Sequence, residues 1–465
     1  MQSNFACAVR GIGPRAICRI VSPALLVAVL CWSGGARAED QLLFDFDRRS
    51  LSDDWSAMGR ITVAREPVPS ASADAGIVPS GRGASADTAG GGGLFAKSGK
   101  VPRDWRQFES VSFWVYRAPD EARRRPTSTI EIQIYESDGK ARFWRRVDLA
   151  HTGWKRFSEP LRWFRYGDQR LPRWDRVDRF GVWFRDAADV TVDAIAASRG
   201  DEKVASEIKT ADLVSTAFPD ADPRQVRVLE NDLLRIVTNA ADLDLQALAD
   251  HLKWAADLVR RDLPLIENPA SPATLIVFAT QQGFQKFPGR LAKRMNSSGP
   301  VPTSGGFTTH GIGTSYWDAK FGTLRPVYVH EFVHSLVTHG ALLDNHGEWF
   351  QEGLASYYQI QAHAQKNLSQ MVIHGIENEG ARLPLPKLLN GRPISTRLYW
   401  QALTVIELLI TNKAYRPHWP ALIAAFQETG STDIRPHLGP VLKTNWKEFE
   451  EAWEEHCRTM YGSES

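Results

Sequence analysis

His330-Glu331-Phe332-Val333-His334 sets two imidazoles four residues apart, with a carboxylate directly after the first. On a helix, positions i and i+4 lie one above the other on the same face, so His330 and His334 can address one metal ion. Glu331 is rotated about a quarter turn from that line, within reach of a water held by the metal. This is the donor pattern of a zinc hydrolase. Such a site needs a third protein ligand and keeps its fourth position open.

The third ligand is read as Glu352. The stretch Trp349-Phe350-Gln351-Glu352-Gly353-Leu354-Ala355 follows a Gly- and Asn-containing segment, 340–347. Two helices joined by such a turn can fold back so that the second presents a carboxylate to the metal. Trp349, Glu352, Gly353 and Ala355 fit the pattern W-x-x-E-G-x-A position by position. With the two patterns together, the chain resembles the gluzincin zinc metallopeptidases, the peptidase-MA-like group of aminopeptidase N and thermolysin. The resemblance implies Zn²⁺ as cofactor, His330, His334 and Glu352 as metal ligands, Glu331 as general base, and a peptide or protein as substrate. Glu348, one turn before Glu352, is the rival ligand; its alternative role is an exposed first-turn carboxylate facing the helix dipole. His339 is the other rival. A metzincin third histidine would need a glycine at position 337 and a histidine at position 340, where the chain has Val337 and Gly340.

Tyr399 is the candidate donor to a developing oxyanion. Leu398-Tyr399-Trp400-Gln401-Ala402 resembles the aminopeptidase Y-x-K-G-A stretch, with Gln401 where that motif has Lys and Ala402 where it has Gly. A tyrosine packed at a helix start is the competing reading. His310 and His374 are weaker candidates for the same role; seven of the 12 histidines fall between positions 310 and 374. The aminopeptidase G-x-M-E-N motif has no counterpart, because Gly305 to Thr309 holds no acid. An endopeptidase or a specialised hydrolase is therefore expected rather than an exopeptidase.

The elements that must position these residues are expected over 226–462, read as one gluzincin-like domain. Strands are expected within Val226–Thr238 and at Thr274–Ala279, and a helix at Leu243–Leu263. The Gly- and Thr-rich segment from Pro300 to Tyr316 is read as an edge strand beside the cleft. The motif helix, about Pro326 to Thr338, is followed by helices near Trp349–Gln365, Leu398–Asn412, Trp419–Glu428 and Lys447–Met460.

Residues 39–200 read differently. Short alternating runs such as Ile130-Glu131-Ile132-Gln133-Ile134-Tyr135 are separated by turn signals, the mark of a β-sandwich. Eight of the 16 Trp fall here. Phe44-Asp45-Phe46, Gly153-Trp154-Lys155-Arg156-Phe157 and Val177-Asp178-Arg179-Phe180 resemble galactose-binding-like jelly rolls of the carbohydrate-binding-module type. That resemblance implies a polysaccharide or cell-wall glycan as partner, stacked on two or three exposed Trp. Pro69–Gly93 reads as a long loop and 201–225 as a linker. The expected fold class is thus multidomain, an all-β jelly roll followed by an α+β zincin-like metallopeptidase domain.

Residues 1–38 have Arg10, Arg15 and Arg19 before an apolar run from Ile20 to Trp32, then Ala36-Arg37-Ala38, the layout of a secretory signal peptide. Their removal takes away four Arg and no acid, moving the net charge from +2 to −2, so no nucleic-acid partner is implied. It also removes Cys7, Cys18 and Cys31 and leaves Cys457 alone. An exported, disulfide-free protein points to a bacterial periplasm or exterior, with no integral membrane segment after cleavage. Two functions compete: an exported zinc metallopeptidase with a targeting sandwich, and a non-catalytic carbohydrate- or envelope-binding protein with a degenerate peptidase domain.

Overall fold

The computed structural model describes residues 40–46, 53–65, 77, 82–86 and 92–462, apart from 125, 138, 140–141, 167–169, 187–189, 201–206, 267–268, 270, 297–301 and 303. The expected signal peptide and most of the long loop lie outside the described residues.

Twelve strands build the N-terminal part: β1 (Asp40–Phe44), β2 (Trp55–Met58), β3 (Ile61–Arg65), β4 (Arg82–Ala86), β5 (Gly92–Ala96), β6 (Phe108–Arg117), β7 (Ser128–Glu136), β8 (Arg142–Leu149), β9 (Gly153–Pro160), β10 (Arg165–Tyr166), β11 (Val177–Phe184) and β12 (Val190–Arg199). They form two six-stranded antiparallel sheets, one ordered β3-β4-β12-β6-β9 with β1 also on β12, the other β10-β8-β7-β11-β5-β2. Alternation sets the layers. On β7, Ile130, Ile132 and Ile134 are fully buried between the sheets, while Gln133 and Tyr135 take the opposite face. Of the eight tryptophans, Trp55, Trp105, Trp163 and Trp174 are buried; Trp114, Trp144, Trp154 and Trp183 are half-buried.

The C-terminal part is built on a five-stranded mixed sheet ordered β13-β14-β15-β17-β16. Its strands are β13 (Arg227–Glu230), β14 (Leu234–Thr238), β15 (Ala273–Phe278), β16 (Gly306–Thr309) and β17 (Ile312–Tyr316). The helices are α1 (Thr210–Ala217), α2 (Leu245–Asp262), α3 (Gln281–Arg294), α4 (Pro326–Ala341), α5 (Trp349–Ala362), α6 (Leu368–Glu377), α7 (Tyr399–Thr411), α8 (Trp419–Thr429) and α9 (Trp446–Tyr461). β15 is buried on both faces, which explains its apolar run Leu275–Phe278. Leu275 and Val277 face the core of α2, α4, α5 and α7, whereas Ile276 and Phe278 face α1 and α3. Fully burying one such aliphatic side chain contributes about 1.5–3 kcal/mol.

Part of the stretch read as linker is ordered structure. Leu213, Ala217 and Phe218, on and just after α1, pack with Phe278, Phe284 and Phe287. Eight residues carry too little periodicity to announce a helix between two polar flanks. Trp163 of the sandwich joins the same cluster. Polar contacts extend the junction: Arg145 Nη1 donates to Arg294 O at 2.5 Å, Asn296 Nδ2 to Arg146 O at 2.7 Å, and Leu171 N to Leu342 O at 2.9 Å. Leu342 is the left-handed residue that ends α4 (φ 55°, ψ 32°). A sandwich backbone amide thus satisfies the carbonyl at the turn between the motif helix and α5.

Candidate functional site

The motif helix is held from both sides. Pro326 opens α4 at a position where its missing N–H costs nothing. Ser335 Oγ accepts from Thr274 N at 2.7 Å and donates to Gly311 O at 2.5 Å, tying α4 to β15 and to the β16–β17 turn. A Cβ on Gly313 would come within 2.6 Å of Glu331 O, so only glycine lets β17 lie this close to the helix.

α4 then presents His330 and His334 on one face, with ring centroids 4.7 Å apart. α5 folds back and brings in Glu352 from its first turn. Glu352 Oε2 lies 3.2 Å from His330 Nε2 and 3.5 Å from His334 Nε2. The three donor atoms all fall within 4.8 Å of one another, and no other His, Cys, Asp and Glu group among the described residues does so. Tetrahedral zinc with bonds of about 2.0–2.2 Å sets its ligand atoms about 3.3–3.6 Å apart. The two Glu352 edges match, and two imidazoles with one carboxylate are a donor set zinc accepts, so the residues fit the ion. All three are buried, at 8, 1 and 5% exposure. Burial alone would raise the Glu352 carboxyl, but the His334 and His330 imidazoles hold it well below the carboxylate range. Burial alone would lower His334; Glu352 and Gln351 hold it above its ordinary value.

Behind the donor group stands Gln351, which carries no motif signal in the sequence. Its Oε1 accepts from His334 Nδ1 at 3.1 Å, and its Nε2 donates to Leu343 O at 2.6 Å. That chain fixes the His334 tautomer with Nε2 free for a metal. Replacing Gln351 with Ala is expected to weaken zinc affinity about 10–100-fold while leaving all three ligands in place, measured by competition with a chelator. Unchanged affinity would show that His334 needs no orienting partner.

Glu331, the residue after His330, is held against β16. Thr308 Oγ1 donates to Glu331 Oε2 at 2.7 Å, and Gly306 leaves the carboxylate room, since a Cβ there would sit 2.6 Å from Glu331 Oε1. Burial pushes the Glu331 carboxyl up to about 7, opposed by His330 and by the Thr308 hydrogen bond. A carboxyl poised near neutrality suits a group that takes and returns a proton.

Tyr399 is the first residue of α7, and its ring lies nearly parallel to His330 at 6.0 Å. Gly353 allows this approach: a Cβ there would be 2.7 Å from Ala402 O, so α5 and α7 touch through backbone. Burial first, and the neighbouring Glu352 second, push the Tyr399 phenol far above its usual value, which keeps it a hydrogen-bond donor.

Glu348 departs from expectation. It is fully buried rather than exposed, and its carboxylate accepts from His346 N at 3.0 Å instead of capping α5. The Glu348–Pro393 bridge and the 342–347 turn enclose it, contacts that no local pattern reveals. Burial pushes it up to about 7, and it stays outside the ligand group. His339 is also no ligand: its Nε2 lies 3.2 Å from Gly311 O, and burial pushes it down to about 4. His310 occupies the β16–β17 turn with φ 50°, and His374 sits on α6 with Asn378 as partner. Neither joins the ligand group.

A second candidate surface lies on the open face of the β10-β8-β7-β11-β5-β2 sheet. Gly93 and Gly181 carry no side chains, and the rings of Trp183 and Phe95 fold over them; a Cβ on Gly181 would come within 2.5 Å of Phe95. Tyr135 meets Phe95 edge-on at 6.1 Å. Beside these rings, Tyr135 OH donates to Gln133 Oε1 at 2.6 Å, Gln133 Nε2 to Glu131 Oε1 at 2.5 Å, and Arg185 pairs with Glu131 at 2.8 Å. Met58, Phe95, Gln133, Tyr135, Trp183 and Arg185 line a groove of about 360 Å³. Among the described residues, no helix is long and apolar enough to cross a membrane.

No protein-family model matches the chain, and no curated protein matches it. The N-terminal β-sandwich resembles carbohydrate-binding modules in solved structures. One is the family 11 module of the cellulosomal cellulase Lic26A-Cel5E of Clostridium thermocellum, with TM-score 0.24, 16% identity, and 36% of this chain and 97% of that chain covered. Another is the CBM22-1 xylan-binding domain from Paenibacillus barcinonensis Xyn10C, with TM-score 0.23, 12% identity, and 36% and 97% covered. An exo-β-agarase matches with TM-score 0.27, 12% identity, and 50% of this chain and 32% of that chain covered.

Proposed function

We propose that the protein is an exported zinc-dependent hydrolase of peptide bonds. The observation that carries this reading is the buried His330–His334–Glu352 group, with Glu352 at tetrahedral-edge spacing from both imidazoles and Glu331 beside it at a near-neutral carboxyl. His330, His334 and Glu352 would hold a zinc ion, which when bound would supply Lewis acidity toward a carbonyl and a water. Glu331 takes the proton of the attacking water as the new C–O bond forms, and returns it to the amine nitrogen as the C–N bond breaks. Thr308 holds the Glu331 carboxylate in place for both transfers. Tyr399, still protonated, donates to the carbonyl oxygen as charge builds on it. Without an acid at Gly305–Thr309 to take a free amine, internal bonds suit the site better than terminal ones.

The test is metal removal and return. The purified chain stripped by a chelator is expected to lose hydrolysis of unfolded casein and to regain it with one equivalent of zinc. A zinc-loaded chain that binds the metal and cleaves no protein substrate would reject the peptidase reading.

The groove over Trp183, Phe95 and Tyr135 favours a second activity, binding of a polysaccharide. Sugar rings offer an apolar C–H face to an aromatic ring and hydroxyls to charged neighbours, and both surfaces are present here. Taken alone, with the metal site inert, this gives the alternative function, a carbohydrate- or envelope-binding protein.

A further inference from the structure

We infer that the sandwich groove and the metal site are two ends of one binding track, and that its substrate is a polypeptide carrying a glycan. This rests on the hydrolase reading above and names the substrate class of that site.

The two sites lie on elements that pack against each other. Trp183 on β11 and Tyr135 on β7 share the open face with Trp144 on β8 and Arg165 on β10. The Arg165 guanidinium lies over the Trp144 ring at 5.6 Å. From β11 to β10 the face crosses three strand spacings, about 14 Å. β10 is the last strand of that sheet and only two residues long. Its first residue is on the open face; its second, Tyr166, turns away and meets the His310 ring edge-on at 5.0 Å. His310 is the turn of the β16–β17 hairpin, and Thr308, two residues earlier, donates to Glu331. Two residues of strand span about 6.6 Å. The glycan face thus ends on the strand whose buried side packs against the hairpin that carries Thr308.

The chemistry differs along the track as a glycan-bearing chain requires. Half-buried rings and charged side chains suit sugar faces and hydroxyls on the sandwich. At the other end β16 pairs, among the described residues, only with β17, so its outer edge offers backbone groups to an extended peptide. The domains are joined by a shared core through Trp163 and by the Leu171–Leu342 bond, so the distance between the two ends is fixed. Two sites held at a fixed spacing gain effective concentration only when one molecule fills both.

The experiment uses the full mature chain loaded with zinc and heat-unfolded fetuin, either with its glycans intact or after enzymatic deglycosylation. Deglycosylation is expected to lower kcat/KM by about tenfold or more, through KM. In Trp183→Ala, and separately in Arg165→Ala at the junction, the ratio between the two fetuin forms is expected to collapse toward about one. Circular dichroism and zinc content identify a variant that has failed to fold, and the second variant then carries the test. Equal kcat/KM on both forms with the wild-type chain, or a ratio unchanged in both folded variants, overturns the inference and leaves the hydrolase reading standing. Cleavage of neither form overturns both.

Discussion

A Glu331→Gln protein is expected to bind zinc as tightly as the wild type and to hydrolyse protein about 10²–10⁴-fold more slowly. The substitution is nearly isosteric. The amide oxygen can still accept from Thr308 Oγ1, and the space left by Gly306 still fits the side chain. What is lost is the ability to take a proton, since a carboxyl held near 7 by burial is replaced by a group that does not titrate. Each decade of rate corresponds to about 1.4 kcal/mol of transition-state stabilisation, so the loss is about 2.7–5.5 kcal/mol. Tyr399→Phe is expected to lose about 10²–10³-fold, mostly in kcat, because the ring keeps its place against His330 and only the oxyanion donor goes. Zinc content by elemental analysis and steady-state rates on unfolded casein check both variants. Wild-type turnover by Glu331→Gln would remove the mechanism, however complete the metal group.

How much of this site was legible in sequence follows from how far apart its parts are along the chain. His330, Glu331 and His334 share one helical turn, so their spacing alone fixes their geometry. Glu352 was legible because Trp349 and Gly353 flank it for definite reasons. The Trp349 indole donates to Thr432 O at 2.9 Å, and Gly353 is where α7 touches α5. Thr308 and Gln351 were not legible. Thr308 reaches Glu331 only through the register of β16 on β17 and of that hairpin on α4, a contact spanning 23 residues. Gln351 looks like any helical polar residue until its neighbours bury it completely. The burial of Glu348 depends on the distant Pro393 strand bridge. In the sandwich, alternation correctly separated inner from outer residues on β7, but it cannot say which sheet keeps an open face. Trp183 and Trp114 both sit on outward positions of their strands and read alike in sequence. Only the pairing of β5 with β11, which puts two glycines under Trp183 and Phe95, makes the first part of a groove.

Removing any one of the three proposed zinc ligands should be the most damaging change to zinc binding. His330→Ala, His334→Ala and Glu352→Ala each delete one of three protein donors, and a loss beyond the 10–100-fold typical of an orienting partner is expected, more than about 100-fold. Glu348→Gln is the control. It keeps an oxygen to accept from His346 N and lies outside the donor group, so zinc should remain. The effect also appears in stability, because a ligand that binds only the folded chain stabilises it. Zinc at about 100 times its Kd adds about 2.7 kcal/mol to the wild type, and a variant that no longer binds gains nothing. A thermal melt with and without zinc therefore reports binding independently of catalysis. The donors are buried, so each deletion also leaves its partners unpaired: without Glu352 the imidazoles of His330 and His334 lose the only carboxylate within 4 Å of both among the described residues. Glu352→Ala should for that reason melt below the metal-free wild type as well as lose the zinc-induced rise. If Glu352→Ala kept its zinc-dependent rise and Glu348→Gln lost it, the third ligand would be Glu348, and the fold-back of α5 would serve a different carboxylate from the one its geometry presents.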